Sequence, residues 1–172
     1  MRLHLLPSIR LLILLQIEHG ILRHSSTKAM IFGPLTISVN FGEKDPRRKL
    51  VLEQSRPNIS FCLFTAMVSS PALVVLKDSS TVNEDMNHHA RRFLLEYVKP
   101  DPVVRSICLP ALLRIYWSDF GGSRYRVLKS IGAITGPEMA NNLKPYMSPT
   151  EGLRAKVEFS KLDWTPIIAV CD

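Results

Sequence analysis

Apolar residues at helical spacing mark the clearest element of this chain: Val82, Met86, Ala90, Phe93, Leu94 and Tyr97 fall on one face of a helix. Thr81 and Glu84 precede them at the spacing of a capping box, and Pro100 and Pro102 close the segment. A second helix is expected from Pro110, a favoured first-turn residue. It carries Leu109, Leu112, Leu113, Tyr116, Trp117 and Phe120 at steps of three and four and stops at Gly121 and Gly122. Weaker periodicity predicts helices over 123–133, through Val127, Leu128 and Ile131, and over 137–146, through Met139 and Leu143.

Between these lie short runs with strand character, at 59–64, 72–76, 103–109, 155–159 and 165–170. The first and last are apolar on both faces, as central strands are. Helices and strands interleave irregularly and no unit repeats, so the expected fold is a single α+β domain rather than a solenoid or a doubly wound sheet. Its short mixed or antiparallel sheet would pack against several amphipathic helices.

Composition changes this picture little. The chain is long enough, at 172 residues, to bury a core without staples. Its net charge of +7 is spread out, with only +3 on residues 1–30, which argues against a nucleic-acid interface. Cys62, Cys108 and Cys171 are an odd number without C-x-x-C spacing, so neither a disulfide framework nor a zinc site is indicated. That cysteine usage favours a reducing compartment such as the cytoplasm. The leucine-rich stretch 3–15 is interrupted by Pro7 and Arg10 and is too short to span a bilayer; it reads as the start of a buried helix better than as a secretory leader. No cofactor is expected.

Several polar residues stand in apolar surroundings. Glu18 and His19 are a carboxylate and an imidazole side by side, a pairing that serves a general base but also a buried helix junction. Asp45 and Pro46 have the types of a helix cap and first turn, and Arg47 behind them is an anion-binding candidate. Ser70, after the apolar run 59–64, is a candidate nucleophile without a G-x-S-x-G elbow. Adjacent His88 and His89 lack the spacing of a helical metal pair. Asp119 at a helix C-terminus and Asp163 beside Trp164 oppose local preference and are expected to be buried salt-bridge anchors.

Taken together, Ile17-Glu18-His19-Gly20-Ile21-Leu22-Arg23, then Asp45-Pro46-Arg47, then 59–71 ending in Ser-Ser-Pro, resemble the family of domain of unknown function 547. Downstream, Leu109-Pro110, Tyr116, Asp119-Phe120-Gly121 and the stretch from Val157-Glu158-Phe159 to Asp163-Trp164 are similar to it too. The resemblance covers residues 17–172. An upstream Phe-Trp-Ile-Asn type of block has no counterpart in residues 1–16, as a truncated domain or a wrong first exon would produce.

The resemblance implies no settled activity. The family occurs attached to coiled-coil, glutaredoxin-like or DEP modules, which fits an interaction or scaffold role with a protein partner. In that reading Glu18, His19, Arg23, Asp45, Arg47, Asp119 and Asp163 form a structural polar cluster. The alternative is a hydrolase or transferase with His19 as general base, Glu18 or Asp163 orienting it and Ser70 or an absent upstream group as nucleophile. A non-functional truncated product is the third reading.

Overall fold

A computed structural model describes residues 14–23, 29–32, 35–63, 65, 67–76, 78–147 and 155–165. The chain divides into two compact units, Met1–Arg56 and Pro57–Asp172. The expected helix start at 3–15 lies outside the described residues except at 14 and 15, which are helical, and only residue 165 of the expected strand 165–170 is described.

In the first unit a π-helical turn, Ile17–Ile21, is closed by Leu22 N–H donating to the Ile17 carbonyl at 2.9 Å. Strands β1 (Ala29–Phe32) and β2 (Leu35–Ile37) pair antiparallel. A 3-10 helix, Pro46–Leu50, starts as its sequence demands: Pro46 fills a position that needs no N–H, and Asp45 Oδ1 accepts the Arg47 N–H at 2.9 Å.

The second unit is built on the long helix α1 (Val82–Tyr97), which buries Met86, Ala90 and Leu94. Tyr97, expected on that buried stripe, is exposed. The capping box does not form: the Thr81 hydroxyl donates to Asp85 at 3.0 Å instead of receiving a backbone N–H. Over its described part, 59–63, the expected strand 59–64 does not form. A 3-10 helix, Pro57–Phe61, buries the consecutive side chains of Ile59, Ser60 and Phe61, which a strand facing one core cannot do. Phe61 packs against Phe93 and Phe120 with ring centroids 5.4 and 5.6 Å apart. Residues 72–76 form no strand, and Leu73 and Val75 stand exposed.

The sheet has β4 (Ser106–Leu109) at its centre, antiparallel to β3 (Lys99–Asp101) and parallel to β5 (Lys156–Phe159). The expected run 103–109 is therefore a strand only from 106 on. Val103 and Val104 are exposed in the four-residue hairpin loop, and the central strand is β4 rather than 59–64. The second predicted helix is split into α2 (Ala111–Ile115) and a 3-10 turn, Trp117–Phe120, and ends at Gly121 in the left-handed region, φ 99°. Pro110 precedes α2, and the Ser160 hydroxyl behind β5 accepts the Ala111 N–H at 3.0 Å.

Helices α3 (Arg124–Thr135) and α4 (Pro137–Met147) follow, with Ser123 capping the first. Val127, Leu128, Ile131 and Leu143 are fully buried. Gly132 lets the two helices meet, since a Cβ there would lie 3.0 Å from Ala140 Cβ and 3.1 Å from its Cα. The α+β class expected from the pattern is the one observed.

Candidate functional site

The π-helical turn of the first unit carries the most concentrated polar chemistry. An ordinary α-helix stacks residues three and four apart, whereas an i to i+5 closure brings the fifth residue round. Glu18 Oε1 accordingly lies 3.6 Å from Arg23 Nη2 and 3.8 Å from His19 Nε2. Both partners are deeply placed, with His19 and Arg23 each 5% exposed. These separations are charge contacts rather than hydrogen bonds.

Three influences set the protonation of His19. Burial dominates and pushes its pKa below the ordinary 6.5; the Glu18 carboxylate works against this and the Arg23 guanidinium with it. The imidazole is neutral at neutral pH. Its Nδ1 is buried and meets no hydrogen-bond partner among the described residues.

A second polar group braces the same unit. Arg47 grips Asp45 through two parallel contacts, Nε to Oδ1 at 3.0 Å and Nη2 to Oδ2 at 2.6 Å, and its Nη1 donates to Gln16 Oε1 at 2.7 Å. These bonds hold the Asp45 carboxyl at a pKa of about 2. The guanidinium lies over the Phe41 ring, 4.5 Å from its centroid. The same ring presses on Gly20, where any Cβ would come within 2.8 Å of it. Gly20 thus carries no side chain because Phe41 occupies the space.

The remaining candidates belong to the second unit. The Ser70 hydroxyl accepts the Thr65 N–H at 2.8 Å and donates to the Pro71 carbonyl at 3.2 Å, an arrangement that spends both of its hydrogen-bonding directions on backbone. Its neighbour Ser69 joins the C-terminal side: Asp163 N–H donates to Ser69 Oγ at 2.7 Å, and Ser69 N–H donates to the Asp163 carbonyl at 3.3 Å. Asp163 itself is exposed, contrary to the expected buried anchor, and hydrogen bonds from Thr165, its side chain first and then its N–H, lower the pKa of the carboxylate. Asp119 is half-buried in the 3-10 turn before Gly121. The cluster expected from sequence is therefore partitioned: Glu18, His19, Arg23, Asp45 and Arg47 fall in the first unit, Asp119 and Asp163 in the second.

No group of three or more metal-ligating side chains gathers among the described residues. Cys62 and Cys108 are free and half-buried, and burial pushes the Cys62 thiol up, away from nucleophilic use. Among the described residues no helix is long and apolar enough to cross a membrane.

Residues 10–94 match the sequence model of the family described as protein of unknown function, DUF547. That stretch is consistent with a DUF547 domain. The matched stretch includes every polar residue of the π turn and the Asp45–Arg47 pair, together with Ser70 and most of α1; Asp119 and Asp163 lie beyond it. No curated protein and no solved structure matches the chain.

Sequence reasoning missed two parts of this geometry. The five-residue step from Glu18 to Arg23 has no signature at a period of 3.6, and Arg105, discussed below, was hidden inside an expected strand.

Proposed function

We propose that residues 17–172 form an interaction or scaffold module in which the polar residues of the first unit are structural. The observation that carries this reading is the burial of His19 and Arg23 around Glu18. An imidazole held neutral beside a carboxylate and a guanidinium, both of them close by, suits a packed junction better than a proton shuttle that must meet substrate. Exposed apolar side chains such as Leu73 and Val75 in the second unit are in keeping with a protein partner.

The buried, unpartnered Nδ1 of His19 favours a second reading, a hydrolase or transferase with His19 as general base. His19→Ala separates the two. On the module reading, the variant loses about 1–3 kcal/mol of stability to urea, the cost of truncating a buried side chain. The enzyme reading gains if stability is unchanged while turnover of an activated ester by the wild-type chain disappears in the variant.

A further inference from the structure

The second unit contains a cleft of about 610 Å³ between the β3–β4 hairpin and α4, within the range of small-molecule sites, roughly 300–1,000 Å³. Its walls include the rings of Pro100, Pro145 and Tyr146, and its polar groups are Arg105, Asn141 and Asn142. Arg105 is the one charged side chain in that lining among the described residues.

Arg105 also holds the chain's one positive φ outside glycine among the described residues, 51°. A four-residue loop closing a hairpin commonly ends in a left-handed residue, and glycine or asparagine takes that place at least cost. An arginine there is a local choice against backbone preference, and such strain gathers at binding sites. Asp101 Oδ1 accepts the N–H groups of Val103 and Val104 at 2.9 and 3.2 Å, which holds the loop, and no ion pair engages Arg105 among the described residues. Burial, with Asp101 adding to it, pushes the Tyr146 hydroxyl pKa up, so the phenol remains a donor at neutral pH. Arg105, Asn141, Asn142 and Tyr146, each a side chain with donor groups, thus line one space together with the proline rings.

We infer that this cleft binds a small organic anion, a carboxylate or phosphate on an apolar body, with the Arg105 guanidinium receiving the acid group. The site is independent of the polar cluster of the first unit and stands or falls apart from the module reading.

The test is a titration of the full ¹⁵N-labelled chain with phenyl phosphate, benzoate and benzyl alcohol, followed at the side-chain amide signals of Asn141 and Asn142. Saturable shifts are expected with one or both anions, and the comparison of the two tells phosphate from carboxylate. Arg105→Asn and Arg105→Gly suit the left-handed backbone, so both variants should fold and resist urea at least as well as the wild type. Each should bind the anion about tenfold more weakly or worse, the loss of a charge-assisted pair. Absence of saturable shifts with both anions overturns the proposal. So does equal binding by the variants, or benzyl alcohol binding as well as the anions.

Discussion

The contact between α3 and α4 can be weighed by adding one methyl group. Gly132→Ala places a Cβ 3.0 Å from Ala140 Cβ and 3.1 Å from its Cα, against a comfortable carbon separation of about 3.5–4.0 Å. Helix preference favours alanine over glycine by about 1 kcal/mol, whereas forcing an extra carbon into a close-packed site costs about 1–3 kcal/mol. Overpacking wins, and a net loss near 1 kcal/mol is expected. Ala140→Gly alone loses about 1 kcal/mol through helix preference. In the double variant the Cβ–Cβ conflict is gone, so the loss should fall short of the sum by about 1 kcal/mol. Urea unfolding followed by Trp117 fluorescence and far-ultraviolet circular dichroism measures all four corners of the cycle. Losses that add to within about 0.5 kcal/mol would refute the close approach as the reason for glycine at this position.

Two further outcomes concern titration. Burial holds the folded pKa of His19 below the 6.5 of the unfolded chain, so below that value the unfolded chain takes up the proton first; stability should be complete above about pH 6.5 and fall as the pH drops beneath it. Urea midpoints measured against pH should lose part of that slope in His19→Asn, and parallel curves would contradict the assignment. The Asp45 carboxyl should titrate near 2 by NMR, its stabilising effect being present above the ordinary 3.8 and lost as pH falls through 2. Arg47→Gln should raise that midpoint only part of the way, because the backbone N–H of residue 47 still donates to it; a midpoint unmoved by the change would argue against the ion pair.

Where local forces decide, the fold was legible. Helix α1 followed from its apolar stripe, the end of the Trp117–Phe120 turn from its two glycines, and the Pro46 helix from Asp45 and proline. The stretch 59–64 misled because a short apolar run has no period long enough to distinguish, and the overlooked signal was Pro57 in the first helical position. Residues 72–76 have strand-like composition, but a strand needs a partner edge, and that is a property of distant chain. For the candidate site, residue identity was readable and geometry was not. Glu18 and His19 stood out as neighbours, yet their link to Arg23 depends on a widened turn, and Phe41 against Gly20 depends on chain twenty residues away.

The parallel pairing of β4 with β5 imposes an order in time. The β3–β4 hairpin closes through four residues, but Leu109 meets Phe159 only after the 50 residues from 109 to 159 have been made. At a synthesis rate of about 5–20 residues per second, the outer edge of β4 waits roughly 2.5–10 s on the ribosome before its partner exists. For that interval an open row of backbone donors and acceptors beside Ile107 and Leu109 is available to any other extended segment. The nascent chain is thus most exposed to mispairing in the seconds before its last described strand arrives, and a chaperone that shields this protein would have to act within them.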